Sequence, residues 1–249
     1  MNHRLQLLLV LATGLACQAG CRTTQPASPA TDLGGGVNSV EQTHEPWVEG
    51  SVRVRAIKGK ATYSKAGRTN ALQERMQFAA PVILQTSADS HVDLHLRVNG
   101  PVLRLLPNSE LSLMKLQYTG SASDTVVNTR LNLRAGSMLG VVRKLSSASV
   151  YEVATTGNMI SIHGTDYLAY ATGDLVIFKG LAVIHRQERS DSIRVGTAEF
   201  FEAATSSVRS LSRKEWDHFE KAAGYGPFAI HQMTDSGLIH RDRPEHNVN

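Results

Sequence analysis

The sequence predicts an all-β domain, a sandwich or solenoid of short strands with a capping α-helix at its C-terminal end. Three observations predict it. Short runs alternate apolar and polar residues from about Val48 to residue 200. Turn signals such as Gly, Pro-Asn, Asn-Gly and Thr-Gly separate the runs at spacings of roughly 8–12 residues. No segment of helical period interrupts residues 90–186, which argues against a βαβ sheet.

The first residues read as a leader. Met1 to Arg4 is a short basic start and Leu5 to Ala16 an apolar run ending in small residues, too short for a stable membrane span. The 249-residue chain has two cysteines, Cys17 and Cys21, both at the end of this run. Two so close cannot staple a domain. A cysteine directly after the apolar run resembles the lipobox of bacterial lipoproteins, in which that cysteine carries the lipids. Cys17 in "TGLAC" is favoured, which makes residues 1–16 the signal peptide. Cys21 in "CQAGC" is the alternative and extends the signal peptide to residue 20. Ordinary cleavage near Ala16 or Ala19 would instead leave a free thiol. In each case the expectation is export to the cell envelope. No Asp follows either cysteine, so the periplasmic side of the outer membrane is the expected address, with the membrane engaged through the N-terminal lipid.

Residues 22–47 are rich in Thr, Pro, Ser and Gly and read as a disordered tether. The β-domain is expected over 48–200. In "VRVRAIKG" Val52, Val54 and Ile57 are punctuated by Arg53 and Arg55. In "HVDLHLRVNG" Val92, Leu94, Leu96 and Val98 share one face. Further strand runs span 102–109, 111–116, 131–136, 138–142, 149–155, 159–164, 166–173, 174–180 and 181–186. Residues 68–82 read either as a helical turn or as strand and loop. A helix is expected over 208–226: Ser212 and Glu215 form a capping box, Trp216, Phe219 and Ala223 share a face, and Gly224 stops it. This helix is expected to cover one end of the β-core. Residues 227–249 read as a polar, fraying tail.

The ordered set of these runs resembles the FecR domain, a periplasmic β-rich module, over roughly residues 50–186. The matching stretches are "VRVRAIKGKATY", "APVILQTSADSHVDLHLRVNGPVLRLLPNSEL", "LNLRAGSMLGVV", "YEVATTGNMISIHGTDYLAY" and "DLVIFKGLAVIH". The signature residues implied are Gly100, Gly136, Gly164, Thr165 and Gly180, in a structural role. The sequence departs from the family pattern at Asn99-Gly100, where an Asp-Gly turn is usual. It departs also at His163, usually Arg, and at Lys179, usually Glu. The best-known relatives are transmembrane anti-sigma regulators signalled by TonB-dependent outer-membrane receptors. Here only a leader and a tether precede the module, so anti-sigma activity is not expected to carry over. A receptor partner follows from the resemblance alone.

Candidate chemistry is sparse. His91, Asp93 and His95 project from one face of a strand and would suit a divalent metal, although next-but-one side chains diverge on a pleat. The competing reading is a solvated polar face. There is no G-x-S-x-G elbow, no phosphate loop and no cysteine in the domain. Asp89, Asp93, Glu110, Asp124, Glu152, Asp166 and Asp174 are scattered, mostly at turns or on polar faces. Trp47, Trp216, Tyr225 and Phe228 could form a sugar platform, but a helix covering the core accounts better for them. The net charge of +4 is mild and forms no stripe, so nucleic acid is not an expected partner.

"ISIHGTDY" (160–167) gathers His, Thr, Asp and Tyr around one Gly. Alternation places Ile160 and Ile162 inward and Ser161 and His163 outward, with Gly164 as a break between strands. His163 is a candidate partner contact, and histidine there would make that contact pH-sensitive. The expected function is a non-enzymatic envelope interaction or sensory module without a cofactor, with an envelope protein as partner. The rivals are a glycan-binding accessory protein and a metal-dependent hydrolase built on His91, Asp93, His95 and His163.

Overall fold

A computed structural model describes residues 46–96, 100–120, 125–186 and 191–229. The leader with Cys17 and Cys21, residues 22–45 of the tether, Val98, Asn99, Asp124 and the tail from 230 lie outside the described residues. Within them the chain is all-β with a short C-terminal helix.

The first strands are β1 (Val48–Glu49), β2 (Val52–Lys58), β3 (Ala61–Lys65), β4 (Arg68–Ala71), β5 (Gln77–Phe78) and β6 (Val82–Thr86). Then come β7 (His91–Leu96), β8 (Val102–Leu105), β9 (Glu110–Thr119), β10 (Val126–Ala135), β11 (Ser137–Val141), β12 (Val150–Thr155) and β13 (Asn158–Ile162). The last are β14 (Asp166–Tyr170), β15 (Leu175–Lys179), β16 (Leu181–Arg186), β17 (Ser192–Gly196), β18 (Glu199–Glu202), β19 (Ser207–Ser210) and helix α1 (Arg213–Ala223). Residues 68–82 are therefore strand and loop, not a helical turn.

Two sheets face each other. One runs β17-β16-β13-β12-β10-β9-β6-β3-β4, with β1 added beside β9; the other runs β19-β18-β15-β14-β11-β8-β7-β2-β5. From β12 onward the chain winds hairpin by hairpin between them. β12–β13 and β16–β17 lie in the first sheet, β14–β15 and β18–β19 in the second. Each hairpin pairs with the preceding one in its sheet, β13 with β16 and β15 with β18. The pair β10·β12 is parallel, because β11 crosses to the other sheet between them. This is the sandwich wound as a coil that the short strands and tight turns predict.

The inner faces form the core. Val92, Leu94 and Leu96, and Ile160 and Ile162, are all fully buried in it, on the side that alternation assigns. Burying such side chains stabilises by roughly 1.5–3 kcal/mol each. Gly140 on β11 faces Tyr167 on β14, its register partner, and the ring occupies the space a Cβ would need.

A second apolar layer lies on the outer face of the β19-to-β5 sheet. Val102, Leu106, Leu139, Leu168, Val176 and Phe178 meet Ala223 and Phe228 there, with Trp216, Phe219 and Tyr225 packed against them. The helix thus covers a sheet face rather than the end of the core. It is also shorter than the expected 208–226, since Ser207–Ser210 form β19. Its caps are those read from the sequence. Glu215 N–H donates to Ser212 Oγ at 3.3 Å, Ser212 N–H donates to Glu215 Oε2 at 2.9 Å, and Gly224 adopts φ 64°. The chain continues helically over 225–229, and Phe228 is 3% exposed, so the expected polar tail begins as packed structure.

Candidate functional site

The His91, Asp93 and His95 row lies on β7, on the outer face of the helix-covered sheet and beyond the apolar layer. Register places Asp93 opposite Arg104 on β8. The two form a bidentate pair: Arg104 Nε donates to Oδ1 at 2.7 Å and Nη2 to Oδ2 at 2.8 Å. The same guanidinium lies 4.5 Å over the Phe228 ring. Asp93 is thus committed to an arginine that seats the C-terminal segment. Partial burial, and then the Arg104 charge, push the His91 imidazole below its ordinary value. His163 lies just before β14, whose Asp166 shares a row with Val141, Val102 and His95, but three strand steps separate β14 from β7 and His91 is at the far end of β7, so the four residues of the hydrolase reading do not converge. Among the described residues no group of three His, Cys, Asp or Glu side chains is placed to hold a metal.

The "ISIHGTDY" stretch is a strand, a pinch and a strand. Ile160 and Ile162 are fully buried and His163 is exposed, as alternation requires. Gly164 has φ 117°, and a Cβ there would stand 2.8 Å from Lys144 Cα. Gly180 has φ 94°, and its Cβ would stand 2.5 Å from Gly164 O. Thr165, 1% exposed, closes the pinch by donating its hydroxyl to Leu181 O at 2.7 Å. Gly100 and Gly136 also have positive φ, 66° and 69°. A Cβ on Gly136 would strike the Asn108–Ser109 backbone, whereas on Gly100 it would meet only His95 Nε2, at an ordinary 3.6 Å.

Two functional-looking groups escape a sequence reading. Asp166, expected at a turn or on a polar face, is 6% exposed and accepts the Tyr225 hydroxyl at 2.7 Å, while the Tyr225 ring stacks on Phe178. Burial pushes the Asp166 carboxyl up; the Tyr225 hydrogen bond and Lys179 oppose it. A raised folded-state value means that this group favours the fold at pH below the unfolded carboxylate value. That contribution is lost as pH rises through the folded value. Asp166→Asn, which keeps an acceptor for Tyr225, is therefore expected to gain stability relative to wild type as pH rises above roughly 4. Urea unfolding at several pH values checks this, and parallel curves for the two proteins would refute it. Arg104 is the other missed group. Its one sequence signal is a lone cation in "VLRLL", a run apolar on both faces.

A depression of about 540 Å³ opens where three hairpin turns meet, lined by Thr156, Gly157, Asn158, Thr172, Asp174 and Arg186 among others. Its charges are engaged. Asp174 accepts from Ala203 N–H at 2.8 Å and from the Thr172 hydroxyl at 2.9 Å, and Arg186 pairs with Asp191.

The sheet edges differ in protection. On β19, Arg209 lies 5.0 Å over the Phe200 ring and pairs with Glu215 of the helix at 2.8 Å. On β4 all four residues are exposed, and β3 is its partner in the sheet. Its outer edge presents main-chain donors and acceptors that no described strand takes up.

No protein-family model matches the chain, and no curated protein matches it. Among solved structures it is similar to two crystal structures of a candidate anti-sigma factor from Parabacteroides distasonis. One is 13% identical with a TM-score of 0.41, covering 54% of this chain and 62% of that one. The other is 12% identical with a TM-score of 0.42, covering 55% and 63%. The chain thus spans less than two thirds of the structures it resembles.

Proposed function

We propose that this chain is an exported, lipid-tethered β-module of the FecR type. It acts without catalysis, by accepting a strand from an envelope protein along β4. The observation that carries the reading is the fully exposed edge at Arg68–Ala71, which ends a sheet with unpaired main-chain groups. Strand addition uses such groups for affinity and the alternating side chains for selectivity. The polar residues elsewhere support a non-catalytic role, because Asp93, Asp166 and Asp174 each serve an internal contact. Trp216 and Tyr225, which a glycan platform would need free, pack against Phe178. A TonB-dependent receptor is the partner class that the FecR resemblance suggests.

A photo-crosslinking residue at Thr69, in cells making the full chain, tests the reading. It is expected to capture a discrete protein adduct, with none from the same probe at Lys214 on the exposed side of the helix. Absence of an adduct at Thr69, or the same adduct at Lys214, would refute it.

A further inference from the structure

We propose that one end of the sandwich is a seat for an anionic lipid surface, built from a basic rim with exposed apolar residues set in it. The register defines that end. Thr119 pairs with Val126, Asn128 with Val150, Ile162 with Ala182, and Leu181 with Gly196. The last residues of β9 and β13 and the first of β10, β12 and β16 therefore lie in one row. From β9 to β16 is four strand steps of about 4.8 Å, so the row is roughly 20 Å long.

Arg143, Lys144, His163 and Lys179 gather on this row because the Gly164–Gly180 pinch brings their backbones together. All four are exposed. Two acids stand near them, Asp166, which is buried, and Glu199, which accepts from Gly196 N–H at 2.6 Å. Arg143, Lys144 and Lys179 outnumber these two, so the rim at the pinch presents net positive charge.

The apolar residues follow the same geography. Among the described residues four large hydrophobic side chains are exposed, namely Trp47 at 48%, Val48 at 46%, Met114 at 55% and Leu181 at 45%. Three of them stand at this end. Leu181 opens β16, and Val48 pairs with Tyr118, one residue from the end of β9. Trp47 is next to it, where the chain enters the domain. Tryptophan favours the membrane–water interface, and arginine and lysine favour anionic headgroups. Here both lie along one row, the cations with Leu181 at the pinch and Trp47 at the β9 end, where the N-terminal tether joins. An anionic bilayer is thus favoured over an acidic protein segment, because a flat surface meets the cations, Leu181 and Trp47 along the whole row at once. The seat extends the reading of a membrane-tethered module and adds an orientation to it.

The test uses the full chain with Cys17→Ser and Cys21→Ser, so that no lipid is attached, and Trp216→Phe, which leaves Trp47 as the sole tryptophan. Vesicles of phosphatidylcholine with about 30% phosphatidylglycerol and brominated acyl chains are expected to quench Trp47. Each basic side chain near such a surface contributes about fivefold to partitioning. Arg143→Gln with Lys144→Gln is therefore expected to weaken binding about thirtyfold, with the β-sheet circular dichroism retained. The leader is common to both proteins, so their difference reads the rim alone. A tryptophan moved to Met114, in a Trp47→Phe background, is expected to escape quenching. Equal quenching at both positions, binding unchanged by the charge substitutions, or salt-sensitive binding to polyglutamate without quenching would overturn the seat. The native protein separates the two readings. Lipid attached but Trp47 unquenched would leave the tether standing and remove the seat. No lipid attached, but binding through the rim, would do the reverse.

Discussion

Gly180→Ala is expected to lower the free energy of unfolding by about 3–5 kcal/mol. The backbone there has φ 94°, outside the regions an L side chain adopts readily. The added methyl would also stand 2.5 Å from Gly164 O and 3.1 Å from Thr165 Cα, both backbone atoms of the strand crossing it. No side chain can swing away to relieve the contact, so the pinch itself must open. Gly157→Ala is the internal control. It shares a positive φ of 74°, but nothing lies within 4 Å of its Cβ, so it should cost about 1–2 kcal/mol. Urea unfolding of the three proteins measures the difference. Equal midpoints for the two variants would mean that the close approach at Gly180 does not constrain the fold.

Asp93→Ala is expected to cost about 2–3 kcal/mol, and adding Arg104→Met is expected to restore most of it. Removing one partner of a buried pair strands the other charge, a loss of about 3–5 kcal/mol when burial is complete. Here the Arg104 and Asp93 side chains retain 17% and 14% exposure, so water recovers part of the loss. Arg104 also contacts the Phe228 ring, and its Nη1 lies 2.8 Å from where a Cβ on Gly224 would be. A stranded guanidinium would therefore pull toward solvent and loosen the segment after the helix. Methionine removes the charge and keeps the packing against Phe228. A double variant less stable than Asp93→Ala alone would show that the arginine works through packing and not through the pair.

The sequence made the strands legible where one face is core and the other is water. Val92, Leu94 and Leu96 on β7, and Ile160 and Ile162 on β13, show period two because each sheet has a dry side. The helix caps were legible for a similar reason, since Ser212, Glu215 and Gly224 act within one turn of the chain. The long strands were harder to see. β9 runs for ten residues, but irregular register near Met114 breaks the alternation, so only 111–116 stood out.

The two groups missed at the site share one physical cause. Asp166 and Arg104 occupy outward positions, which alternation assigns to water. The helix and residues 225–229 cover that face and turn those positions inward. An amphipathic helix announces that it lies on something; its own sequence does not say on which face. The Asp93–Arg104 pair was hidden likewise, because register between strands, not spacing within one, joins them.

The helix has a further consequence for how the domain comes apart. A coil of hairpins, each resting on the one before, approximates a one-dimensional array whose terminal units open independently of the rest. The apolar layer beneath α1 draws on β8, β11, β14, β15 and β18, five consecutive strands of one sheet. The helix, with residues 225–229 after it, is thus a strap across the array. Opening a terminal hairpin lifts the strap, and lifting the strap exposes strands well inside the array. Local fraying is thereby coupled to global unfolding, and the domain is expected to unfold in a single cooperative transition rather than in steps.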